Sequence, residues 1–304
     1  MFSMNISSIL GEFSIRQNTT ILPEKRPKID FSRRKTAENM DLLEGFDPNI
    51  ELQTSHGIHH LYNFMNSANF FSRFIRNFDN FKETDFLFVC CRYVLTQIEK
   101  FTRGVPDHFE ILAFRKDDII YIGCDRSMIT RKVLTEQSKL SIFSGLKFGK
   151  CLTTGDWSNL TDTHSIIRHI RIINHQTNSA HSVICSSTVR AFDNNSEPIE
   201  IHVKRDRKSF QHCIREWSFG ARLSGSSKII FGIRNENYKI TKISETRSIR
   251  TDHSSALNMI SEVLTMIAKL IENEKCVAVK PNFETQDMEF EKVDISYMNK
   301  SEQW

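Results

Sequence analysis

A chain of 304 residues with 41 Lys and Arg against 37 Asp and Glu carries a formal charge of +4 and is 39% hydrophobic. This is the ordinary balance of a soluble globular protein, which permits a nucleic-acid partner without the polybasic signature that demands one. No apolar run reaches the roughly 18 to 20 residues that cross a bilayer, and "MFSMNISSILGEF" lacks the basic start and long apolar stretch of a signal peptide, so a soluble intracellular chain with no membrane partner is expected. The seven cysteines form no C-x-x-C pair and are odd in number, which argues against a disulfide framework or structural zinc and for small buried hydrophobes.

Taken in chain order, residues 1–57 read as a partly extended N-terminal segment packing on a single domain over 58–304. Residues 16–57 are polar, hold three of the six prolines and include the basic cluster "EKRPKIDFSRRK" at 24–35, a solvated linker in its plainest reading and a nuclear-import or nucleic-acid segment in its functional one. Aromatics three and four apart at 59–81 predict an amphipathic helix or helix pair. "DFLFVCCRYVLTQIEKF" at 85–101 reads as a further, largely buried helix. Residues 108–125 read as two strands about the turn "RKDD". A helix interrupted by glycines is expected over 130–153.

Three strands follow at 164–175, 181–193 and 199–206, then a helix at 209–223, a buried strand at 228–234 and an exposed one at 238–244. The apolar spacing of 254–274 is the clearest helical pattern in the chain, and "CVAVKPNF" and "DMEFEKVDI" read as closing strands. The histidines at 164, 169, 175 and 181 read as polar-face strand residues, not as a ligand set. Together these predict an α+β fold of mixed, largely antiparallel sheets flanked by helices.

The strand "IEIHVKRD" at 199–206 raises the question of chemistry. Residues two apart on a strand share a face, so Glu200, His202 and Lys204 point one way while Ile201 and Val203 pack inward. An acid two residues before a lysine is a nuclease arrangement: carboxylates converge on Mg²⁺ or Mn²⁺, the metal activates water, and the lysine stabilises the charged transition state. Here the residue two before Lys204 is His202, and the neighbouring strand offers Thr188, Val189 and Arg190.

The order of the segments resembles the DXO family of RNA 5′-end decapping nucleases, from about residue 9 to about residue 280. The likeness rests on "ILGEFSI", "FVCCRYVLTQI", "HFEILAFRKDDIIYI", "SGLKFGKCL" with its Gly145, Lys147 and Phe148, the strands "IIRHIRI", "SSTVRAFD" and "IEIHVKRD", and "REWSFGARLSGSSKIIFGIR". The resemblance implies an acid-x-Lys nuclease-like core, Mg²⁺ or Mn²⁺ as cofactor, and action on NAD-capped, incompletely capped or 5′-phosphorylated RNA. It also implies a nuclear or cytoplasmic setting, a protein partner such as an exoribonuclease, and no DNA partner. At the positions where the family places its metal-binding acids, this chain has Gly149, Thr188, Arg190 and His202, and near the family's glutamine it has Gly220.

Of the polar set the resemblance implies, Arg92 and Lys204 remain, and Lys204 is the retained catalytic lysine. A hard metal ion would find no carboxylates there and would be repelled by Arg190 and Lys204 beside it. The residues therefore read as a silent cleft in which Arg92, Lys204, Arg190, Lys147 and Trp217 hold an RNA end. Two other readings stand beside it: an active hydrolase with Glu200 and Asp193 as substitute ligands, and an interaction scaffold that uses only its surface.

Overall fold

The computed structural model describes residues 2–294 except 17–18, 23–24, 50–57, 68–69, 71–85, 107–108, 117, 125–134, 156–158, 178, 248–251 and 272–274. Its elements are β1 (Phe2–Arg16), β2 (Thr19–Ile21), β3 (Lys28–Ile29), α1 (Arg34–Ala37), α2 (Ile58–Ser67), β4 (Leu87–Cys91), α3 (Arg92–Thr102), β5 (Ile111–Lys116), β6 (Ile119–Cys124), α4 (Glu136–Cys151) and β7 (Thr153–Thr154). The chain continues through β8 (Thr163–Asn174), β9 (Ser179–Val189), β10 (Ala191–Phe192), β11 (Pro198–Arg205), α5 (Phe210–Ser224), β12 (Lys228–Arg234), β13 (Ile240–Arg247), α6 (Ser254–Leu270), β14 (Cys276–Asn282) and β15 (Asp287–Val293).

Strand alternation builds the first layer. β1, β8 and β9 are long antiparallel neighbours, and the nine-stranded sheet runs β15-β14-β5-β6-β4-β9-β8-β1-β2. The hairpin read at "RKDD" is present, with Phe114 opposite Tyr121. A second sheet of six strands runs β13-β12-β11-β10-β3-β7. The fold is thus the mixed, mainly antiparallel α+β arrangement that the periodicities predict.

Helix α6 packs the face predicted for it. Leu257, Ile260, Val263, Leu264 and Ile267 are each at most 2% exposed and enter one cluster with Val94, Leu95 and Ile98 of α3 and Ile170 and Ile172 of β8. Helix α5 ends at Gly225, whose φ of 69° is a left-handed cap that favours glycine. A Cβ there would also meet the Arg168 guanidinium at 2.8 Å, the movable end of a long side chain, so the left-handed φ is the constraint that favours glycine.

Three expectations change. Residues 85–101 are not one helix: Leu87–Cys91 is a strand held in parallel by both β6 and β9, and the helix begins at Arg92. A strand buried on both faces shows a continuous apolar run and no alternation, which is why it resembles a buried helix. One of the four strand histidines is not on a solvated face, although His175 is exposed. His164 is 1% exposed, with Nε2 at 3.1 Å from Glu12 Oε2 and Nδ1 at 3.3 Å from Ser14 Oγ. Lastly, the polar face of β11 is covered, since Glu200 and Lys204 are 5% and 7% exposed.

The predicted helix at 59–81 begins at Ile58 as expected, and its latter part lies outside the described residues. The basic cluster at 24–35 is built into the fold: Arg26 pairs with Glu12, Arg33 Nη1 donates to Thr153 O at 2.8 Å, and Arg34 Nη2 donates to Ile243 O at 2.6 Å. Among the described residues no helix is long and apolar enough to cross a membrane.

Candidate functional site

One residue, Arg190, separates β9 of the large sheet from β10 of the small one. Where the chain changes sheets, the two layers diverge and leave a cleft of about 520 Å³. Strand periodicity puts Thr163, Ser165, Ser186 and Thr188 of β8 and β9 along one wall, and Glu200 and His202 of β11 beside them. Helix α3 supplies Arg92 and Lys100, α4 supplies Ser141 and Gly145, and α5 supplies Glu216, Trp217 and Gly220.

Glu200 is the centre of the charge arrangement. Its Oε1 accepts from Arg92 Nη1 and from Ser224 Oγ at 2.9 Å, while His202 Nε2 lies 3.3 Å from its Oε2. That last contact is close enough for an ion pair, but its angle does not make a hydrogen bond. Burial by itself raises the pKa of a carboxylate; the charge of Arg92 and the contact with His202 outweigh it and hold Glu200 well below the usual carboxylate range. Arg92 Nη1 also reaches Gly220 O at 3.3 Å.

Arg190 shares the same field. Desolvation lowers its pKa to about 10, the Glu200 charge opposes that shift, and Arg92 adds to it. It makes no ion pair with a carboxylate among the described residues. A Cβ on Gly149 would stand 3.5 Å from Arg190 Cδ, so the side chain lies along the glycine surface of α4. His202 stacks flat on Trp217, with centroids 4.6 Å apart and planes at 4°, and Trp217 leans on Phe231 on its other side.

The structure therefore gathers Arg92, Thr188, Arg190, Glu200, His202, Trp217 and Gly220 at one cleft, with Gly149 beside it. It sets the other candidates elsewhere. Lys204 Nζ donates to three carbonyl oxygens, Arg205 O at 3.1 Å, Asp206 O at 3.2 Å and Lys208 O at 2.9 Å, clamping the turn before α5. Lys147 pairs with Glu44 at 3.2 Å. Asp193 Oδ1 accepts from Asn195 N at 2.8 Å and Glu197 N at 2.9 Å, capping the β10–β11 turn. Phe148 is a fully buried core residue.

On β11 the pair that faces the cleft is Glu200-x-His202, not a pair ending at Lys204. Sequence reasoning also passed over the hydroxyls of Ser165 and Ser186, which are 3% and 7% exposed and line the cleft without a hydrogen-bond partner among the described residues. The signal was present as Thr-x-Ser at 163–165 and Ser-x-Thr at 186–188, small hydroxyls repeating with period two.

The comparisons with known proteins agree with this fold. The family model for the RAI1-like PD-(D/E)XK nuclease matches residues 7–303, and the chain belongs to that family. It is similar in structure to Candida albicans Rai1 in complex with pU5 and Mn²⁺, with a TM-score of 0.74, 12% identity, and 99% of this chain and 92% of that one covered. Scheffersomyces stipitis Rai1 in complex with (3′-NADP)+ and calcium gives a TM-score of 0.72 at 11% identity, covering 98% and 91%. K. lactis Dxo1 in complex with manganese gives 0.63 at 11% identity, covering 96% and 89%. Compared by sequence with curated proteins, the chain matches none.

The family implies a divalent metal, and the donors at this cleft do not fit one. Mg²⁺ and Mn²⁺ call for several oxygen ligands, mainly carboxylates. Among the described residues no group of three or more His, Cys, Asp or Glu side chains can hold a metal ion. The one carboxylate at the centre already has the Arg92 guanidinium on one oxygen and the His202 imidazole 3.3 Å from the other, and the second acid of the lining, Glu216, pairs with Lys208 at 2.8 Å.

Proposed function

We propose that the cleft binds the 5′ end of an RNA, capped or 5′-phosphorylated, and does not hydrolyse it by the family's metal-dependent route. Rai1 relatives have been captured with pU5 and with (3′-NADP)+, which supports a nucleotide ligand for a protein of this fold. The observation that carries the reading is Arg190, a half-buried guanidinium with no carboxylate partner among the described residues, at a position the family resemblance assigns to an acid. A guanidinium suits a phosphate in just the way it repels a metal ion.

The remaining groups fit the same ligand. The hydroxyls of Ser165, Ser186 and Thr188 offer donors and acceptors to a ribose, and a ribose 2′-hydroxyl is what separates RNA from DNA at a protein surface. His202, pressed flat against Trp217, leaves the indole as a support for the imidazole instead of a free stacking face. Glu200 keeps Arg92 in place and tempers the positive field.

Binding of 3′-labelled pU5 RNA to the full chain, followed by fluorescence polarisation in EDTA and in Mn²⁺, tests the reading. Equal binding in the two buffers with no loss of full-length RNA supports it. Binding that requires Mn²⁺, or shortening of the RNA, refutes it.

A further inference from the structure

A second hollow, of about 550 Å³, lies where β11 and β12 end side by side, lined by three cations, Arg205, Arg207 and Arg234, two acids, Asp206 and Glu236, and by Gln137, Asn235 and Tyr238. Arg234 is 4% exposed, and its guanidinium lies 3.6 Å over the Tyr238 ring. Nη1 donates to Asn235 O at 3.2 Å, and Arg234 is part of the hollow's lining. Arg207 is balanced by Glu236 at 3.0 Å. Arg205 and Arg234 pair with no carboxylate among the described residues; burial lowers the pKa of Arg234 and the Arg205 charge adds to that shift.

Tyr238 is held in an unusual state. Its φ of 59° is left-handed, a conformation that a bulky residue adopts only under outside constraint. Its hydroxyl accepts from Gln137 Nε2 on α4, and the ring is 6% exposed. The strained turn therefore presents a flat, rotationally fixed guanidinium to the hollow. That is the geometry for bidentate recognition of a phosphate.

We infer that this hollow is a second phosphate site, which takes a backbone phosphate of the RNA whose 5′ end lies in the cleft. The inference rests on the proposed function for the identity of the strand. The two depressions draw on the same segments: residues 200–203 of β11 line the cleft, and Arg205 at its end, with 206 and 207 just beyond it, lines the hollow. Helix α4 lines the first with Ser141 and the second with Gln137, one turn and about 6 Å apart. Glu200 and Arg205 are separated by about 16 Å of strand, a span that a few nucleotides cover. An acidic or phosphorylated peptide has no such reason to use both depressions.

The test compares 5′-phosphorylated oligouridylates of two and eight nucleotides, and a phosphoserine peptide, on the full chain and on Arg205→Gln and Arg190→Gln. Arg205 is exposed at a strand end, so its substitution leaves the fold intact. Arg205→Gln is expected to weaken the octamer about fivefold, reduce its log–log salt slope by about 0.7, and leave the dinucleotide unchanged. Arg190→Gln is expected to weaken both oligonucleotides. An octamer bound equally by Arg205→Gln and the parent overturns the inference, as does a loss confined to the peptide. If Arg205→Gln weakens the octamer while Arg190→Gln changes nothing, the second site stands and the cleft reading falls.

Discussion

Arg92 Nη1 is hydrogen-bonded to Glu200 Oε1 across 108 residues of chain, joining the first turn of α3 to the middle of β11. The pair ties the large sheet's first helix to the small sheet and closes the base of the cleft. Side-chain exposures of 22% for Arg92 and 7% for Glu200 put it in the regime where removing one charge strands the other.

Glu200→Gln should therefore destabilise the fold by about 3 kcal/mol, because Arg92 and Arg190 lose their shared counter-charge while the side-chain shape is kept. The check is urea unfolding: the midpoint moves down with the slope unchanged.

Acid should destabilise the protein in two stages. His169 and His253 have folded pKa values lowered to about 4, chiefly by burial. Below an unfolded value of 6.5 the unfolded chain binds protons that the folded chain does not, so stability falls as pH drops from 6.5 towards 4. Glu200, depressed in the fold, contributes stability above its unfolded value of 4.5 and loses it as pH falls further. Urea midpoints measured from pH 7 to 3 should decline over both ranges, and His253→Gln should flatten the first.

Lys204→Met should cost about 1 to 3 kcal/mol of stability, since three carbonyl oxygens at the start of α5 lose their charged donor, and should leave pU5 affinity within about twofold. Thermal unfolding and polarisation on the same variant separate the two effects. A variant that unfolds like the parent but binds poorly would return the lysine to the cleft.

Removing the cleft hydroxyls should erase sugar selectivity. Ser165→Ala with Thr188→Val is expected to lower the preference for pU5 over its deoxy counterpart by about fivefold, the worth of one hydrogen bond of about 1 kcal/mol. Competition polarisation with the two oligonucleotides measures this directly.

How much of this was legible in the residues follows from the physics of each element. α6 declares itself because one face is buried and the other is not; β8 and β9 do so as β-branched runs set between turn residues, although both faces of each are largely buried. β4 does not, because its parallel neighbours and its packing bury both faces and erase the alternation. Sharing a face on β11 placed Glu200, His202 and Lys204 together, but the strand advances about 3.3 Å per residue. Four residues on, Lys204 has passed the cleft and meets the turn at 205–208 instead. The pairing of Glu200 with Arg92, like the contact of Glu12 with His164 across 152 residues, depends on how the elements meet, and no local pattern encodes it.

The central claim is that this cleft has exchanged metal chemistry for RNA retention. Incubating the purified chain with 5′-triphosphate, unmethylated-capped and NAD-capped RNA, with and without Mn²⁺, tests it most directly. The expected result is RNA that stays intact in every sample, with affinity unaffected by EDTA. Metal-dependent release of cap or nucleotide from any of the three would contradict it.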